Sequence, residues 1–147
     1  MTQATPYAVS ALPHAAVQIA AGETSSYAML VDGSVWAWGQ NNYGQLGDGT
    51  TTHRASPVRI EGYGADTAMR LPPGGAGAGA MFVVAADGTA MGSGKNNYGE
   101  LGNGESGLDE SGQWRKIVTA GAIPELGGGI VEIARARGAH TLVLKGE

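Results

Sequence analysis

The 147-residue chain contains no cysteine, which excludes disulfide staples, thiolate metal sites and a cysteine nucleophile. Basic residues are scarce: nine lysines and arginines against 13 acids leave a net charge of −4, and the nine are scattered along the chain. The dense cationic field that nucleic acid or an anionic membrane attracts is therefore missing, and neither is expected as a partner. No apolar run approaches the ~20 residues that a spanning helix needs. The N-terminal stretch MTQATPYAVSALPHAAVQIAAG has no basic residue before its apolar run, so no export signal is expected and the protein reads as soluble. With 6 prolines and no triplet period, a collagen-like chain is also excluded.

What the sequence has in quantity is glycine, 26 residues set between short apolar runs, the signature of many tight turns. A length of 147 residues suits one domain burying roughly 70% of the surface its unfolded chain exposes.

The turns recur at an interval. VWAWGQNNYGQLGDGT (Val35 to Thr50) is followed by AMGSGKNNYGELGNGE (Ala90 to Glu105), and a constant shift of 55 matches Asp32-Gly33 to Asp87-Gly88, Asn41-Asn42-Tyr43-Gly44 to Asn96-Asn97-Tyr98-Gly99, and Leu46-Gly47 to Leu101-Gly102. VEIARARGAHTLVL (Val131 to Leu144) parallels Val17 to Leu30 at a shift of 114, giving two repeats and the opening of a third. Organisation is expected as an N-terminal arm or strand over 1–16, a first repeat over 17–68, a degenerate second repeat over 69–128 and half a repeat over 129–147. A motif repeated in this way is a structural unit before it is an active site.

Within each unit β-compatible runs alternate with turn residues. Asp-Gly between apolar runs predicts an antiparallel hairpin with a type I′ turn at Asp32-Gly33 and again at Asp87-Gly88. Alternation in SVWAW puts Trp36 and Trp38 on one face of the strand, expected to pack in the core, and Val35 and Ala37 on the other. Further strands are expected at SPVRI (Ser56 to Ile60), at YAVSAL (Tyr7 to Leu12), and at Val131 to Ala134 and Thr141 to Leu144. RLPPGGAGAGA is too glycine-rich for a full strand, so the second unit is expected to be thin or distorted.

Chemical motifs are few. His14, His53 and His140 lie in separate contexts without metal-ligand spacing, and no metal or cofactor is expected. PGGAGAGAM matches neither a dinucleotide nor a phosphate-loop fingerprint. The Asn/Asp/Gly loops carry oxygens that calcium accepts, yet lack the acidic spacing of a calcium loop and read as turn formers. Glu100, Glu105, Asp109 and Glu110 form an acidic run read as solvated rather than as a catalytic pair. No catalytic residue is assigned. Trp114 with Arg115, in ESGQWRK, has the composition of an interface hot spot, the alternative being a cover for the core.

The order IAAG, a strand, Asp-Gly, VWAWG, NNYGQLGDGT and a Pro-Val strand resembles the repeat of the regulator of chromosome condensation family. The likeness is fullest over Val17 to Ile60, weaker over Gly74 to Val118, where Met91 and Ser93 replace the two tryptophans, and confined to the first half of the repeat over Gly129 to Leu144. It implies an all-β fold, a partial β-propeller. It also implies functions exercised through protein contacts: nucleotide exchange on a small nuclear GTPase, chromatin binding or β-lactamase inhibition. No functional residue is carried over from them.

Fewer than three units leave apolar blade faces open, so either the chain is a piece of a longer protein or its faces are covered by association; the second is favoured. Candidate contact residues are Trp114, Arg115, Tyr7, Val9, Val131, Leu142 and Leu144. The expected function is a non-catalytic structural or protein-binding module that oligomerises with other copies of itself or within a larger assembly, such as a phage virion, located in a virion or the cytoplasm. The alternatives are a regulator or inhibitor docking on an enzyme through propeller loops and, more weakly, a carbohydrate-binding module.

Overall fold

The computed structural model describes residues 9–61, 70–71, 76–77, 79–85, 87–113, 115–135 and 141–146. It is an all-β partial propeller of three antiparallel sheets. The first blade is a meander of β1 (Ala16–Ala21), β2 (Ser25–Leu30), β3 (Val35–Gly39) and β4 (Arg54–Arg59). The second repeats it with β5 (Ala76–Gly77), β6 (Ala80–Val84), β7 (Ala90–Lys95) and β8 (Lys116–Ala122). A short 3-10 helix, Pro124–Leu126, leads to the hairpin of β9 (Ile130–Arg135) and β10 (Thr141–Lys145). Among the described residues no helix is long and apolar enough to cross a membrane.

The Asp-Gly pairs join antiparallel neighbours, but not through two-residue type I′ turns. Gly33 N–H donates to Leu30 O and Leu30 N–H to Ser34 O, which makes a three-residue loop closed by a left-handed glycine at φ 83°. Asp32 explains the preference: its Oδ1 accepts both the N–H and the hydroxyl of Ser34, fixing the loop from outside. Asp87 does the same with Thr89, beside Gly88 at φ 80°.

Two apolar seams hold the units together. Tyr27, Met29, Val35 and Ala37 from the first blade, with Leu46 and Ile60, meet Leu71, Met81 and Val83 of the second. On its other face the second blade offers Phe82, Val84, Ala90, Leu101 and Ile123 to Ile130 and Ile133 of the hairpin. Alternation along each strand thus sends successive side chains into successive seams.

The alternation of SVWAW is as expected, but the packed side is the other one. Val35 and Ala37 are fully buried, whereas Trp36 and Trp38 are half-buried on the face that no blade covers. In the second blade the same positions are Met91, which packs against the seam, and Ser93, which is fully buried. The strand expected over Tyr7 to Leu12 is absent from its described part: Ser10 and Ala11 turn just before Pro13, which has no N–H for a ladder. Tyr7 lies outside the described residues. Within the glycine-rich segment β5 is described over Ala76–Gly77. In the third unit the shift of 114 holds for β9 but not for β10. Val143 faces Ile133 as Ala28 faces Ile19, so the second strand is one residue further displaced and its core-facing pattern inverts relative to the simple alignment.

Candidate functional site: the exposed blade faces and the loop rim

Cross-strand pairing determines which side chains share a surface. Ile19 opposes Ala28, which opposes Trp36, and Ala21 opposes Ser26, which opposes Trp38. These residues form the outward face of the first blade, where Ile19 is 75% exposed. Ile19, Ala20, Ala21, Ser26, Tyr27 and Trp38 line a groove of about 460 Å³. Trp36 Nε1–H is held by Ser34 Oγ at 2.9 Å, which leaves the ring half in solvent with its polar atom satisfied.

At the other end, Leu142 and Leu144 project from the outward face of the hairpin at 73% and 60% exposure. By pairing they are the counterparts of Tyr27 and Met29, the residues that the first blade presents to the second. Val131, on β9, is also exposed. Of the candidate contact residues the structure therefore brings Val131, Leu142 and Leu144 onto one hairpin. Val9 is exposed ahead of β1. Arg115 is half-buried and engaged within its own loop, with Nη1 3.5 Å from Glu105 Oε1 and its N–H donating to Gly107 O. Trp114 and His140 lie outside the described residues. The outward tryptophan face and the exposed Ile19 beside it were missed from the sequence.

A rim of loops is built the same way twice. Asn41 Oδ1 accepts Leu46 N–H at 3.0 Å, while its Nδ2 donates to Asp48 Oδ1, Thr50 O and Thr52 O. Asn96 repeats this with Leu101, Asn103 and Glu105. The oxygens that suggested calcium are thus consumed by the loop itself. Asp48 also accepts the Arg54 guanidinium at 2.8 Å; burial opposes its ionisation, but the Thr50 hydroxyl and Arg54 outweigh burial and lower its pKa. Asp32, Asp87 and Asp109 are likewise lowered, chiefly by the hydroxyls of Ser34, Thr89 and Ser111.

Glu100, expected among solvated acids, is buried. It occupies the place of Gln45, and its Oε2 accepts Tyr98 N–H at 2.8 Å as Gln45 Oε1 accepts Tyr43 N–H at 3.0 Å. Its other oxygen makes no hydrogen bond and faces Lys95 Nζ at 4.0 Å. That ammonium also stands 5.6 Å from the ring centroids of both Tyr43 and Tyr98, so one lysine bridges the rims of the two blades by charge and by cation–π attraction.

His14 sits 3.7 Å from Asp32 at the surface, and His53 Nδ1 accepts Asn41 N–H at 2.9 Å, a structural use of the ring. Among the described residues no three metal-ligating side chains converge.

Comparison with known proteins agrees with this architecture. Residues 32–86 match the family model described as regulator of chromosome condensation (RCC1) repeat, and residues 16–45 match a second model of that repeat. The probable E3 ubiquitin-protein ligase HERC6 of Homo sapiens is 34% identical over 129 residues, 87% of this chain and 12% of that protein. Human WBSCR16 superposes with a TM-score of 0.71 at 25% identity, over 92% of this chain and 32% of the other. Prp20p of Saccharomyces cerevisiae, a structure described together with its binding to Gsp1p and histones, superposes at 0.66 with 19% identity, over 82% and 29%. In each case this chain spans a minor part of the longer protein.

Proposed function

The chain belongs to the regulator of chromosome condensation repeat family through residues 16–86, and from that membership we propose that it is a non-catalytic propeller module whose work is to bind other polypeptide. One observation carries the reading: both end faces of the blade stack present large apolar side chains to solvent, Ile19 with Trp36 and Trp38 at one end and Leu142 with Leu144 at the other. Exposed apolar surface of this kind marks an interaction site, since water gains when such faces meet. The form of binding we propose is self-association through these faces. A larger assembly, such as a phage virion, is a setting that would supply neighbours to both.

Sedimentation velocity over a hundredfold range of concentration tests the reading. Association raises the mass above the 14.8 kDa of one chain as concentration rises, and a single 14.8 kDa species throughout would refute it.

A second reading is favoured by the rim, where Tyr98 is 68% exposed beside Lys95: docking of a partner protein on the loops, as a regulator or inhibitor would use. A one-to-one complex that is lost in Tyr98→Ala but kept in Leu142→Asp would select it.

A further inference from the structure

One position in each of the first two units reaches forward to the next. Gln18, opposite Met29 on β1, accepts Leu71 N–H through Oε1 at 2.7 Å across the seam between the first and second blades. Arg70, opposite Val84 in the second blade, donates through Nη2 to Ile130 O at 3.1 Å and to Val131 O across the seam to the hairpin. Glu132 is the third member of the series: it faces Leu144 as Gln18 faces Met29. Its Oε1 is shielded from solvent and has no hydrogen-bond partner. That oxygen is closed off within the single chain, so Glu132 holds the position without reaching forward as Gln18 and Arg70 do.

We propose that the exposed face of the hairpin is covered by a second copy of this chain, seated head to tail with its first blade against Leu142 and Leu144. The inference rests on the self-association proposed above and specifies its geometry.

The apolar surfaces agree with this polarity. Leu142 and Leu144 are the counterparts of Tyr27 and Met29, which in the internal seam meet Met81 and Val83. The counterparts of Met81 and Val83 on the first blade are Ser26 and Ala28, on the face that carries Ile19, Trp36 and Trp38. One molecule thus carries both unjoined halves of a contact that it makes internally. A contact of this kind joins unlike faces, so it is heterologous and propagates as a ring or a chain.

Mixing two blocked variants tests the polarity. Ile19→Asp charges the face of the first blade and Leu142→Asp charges the face of the hairpin, both at exposed positions, and circular dichroism of each checks that the fold is kept. Alone, each is expected to sediment at 14.8 kDa; mixed, they are expected to give one species of twice that mass, because one intact face of each kind remains. Self-association of either variant alone, or no complex on mixing when the wild type does associate, overturns the head-to-tail contact while leaving self-association standing. A wild type that never associates removes both.

Discussion

Asp48 accepts Arg54 Nε–H at 2.8 Å while the same carboxylate, through Oδ1, holds Asn41 and Thr50, so the rim loop of the first blade is tied to an ionised group. Because its folded pKa lies below the ordinary 3.8, this group adds stability at any pH above that value. The contribution is lost as pH falls from about 3.8 through the lowered folded pKa. Amide exchange at Thr50 is expected to accelerate in that window. The loop of the second blade, which has Asn103 in the same place, loses no such term, and Asp48→Asn should remove the dependence from the first.

Asn41→Ala orphans the buried Leu46 N–H and removes the donor that holds Asp48, Thr50 and Thr52. A loss of roughly 2–3 kcal/mol is expected in denaturant melts, with Asn96→Ala similar in the second blade. Asn41→Asp keeps the acceptor for Leu46 but sets a second oxygen against Asp48 Oδ1, Thr50 O and Thr52 O, and is expected to cost at least as much.

Gly94 sits at φ 109° at the bulge between β7 and β8, and a Cβ there would lie 2.2 Å from Gly79 O. Neither strain nor overlap can relax against backbone, so Gly94→Ala is expected to cost roughly 3 kcal/mol or more. Gly112→Ala is the control: its φ is 79° but nothing lies within 4 Å, and about 1 kcal/mol is expected. Thermal denaturation of the two variants checks the difference.

Trp38 and Leu46 separate the proposed binding surface from the core. Leu46→Ala, at a fully buried position in the first seam, is expected to cost roughly 2–5 kcal/mol. Trp38→Ser should change the stability of the single chain by less than about 1 kcal/mol yet weaken association. If Trp38→Ser unfolds the chain as readily as Leu46→Ala, the outward face is part of the core and the binding reading fails.

The repeated loops and Asp-Gly hairpins were legible in the sequence because their chemistry is local: Asn41, Asp32 and their counterparts bond to backbone within a few residues. The faces of Trp36 and Val35 were legible as opposite sides, but not which side packs, since that is decided by the neighbouring blade rather than by the strand. Glu100 reads as one acid in an acidic run; only its placement in the position of Gln45 shows that it is buried. Gln18 and Glu132 align at the shift of 114, but Arg70 does not fall at the 55 residues of the loop motif, so the three were not legible as one series. Their equivalence lies in strand pairing across an irregular, glycine-rich segment.

That series also individualises the units. A neutral amide acceptor and a cationic donor occupy one architectural position in the first two units, so the two internal seams are closed by different chemistry. Blades alike in backbone are therefore not interchangeable. Exchanging them would set Arg70 against the N–H that Gln18 accepts, so the order of the blades is written in these two side chains as well as in the covalent chain.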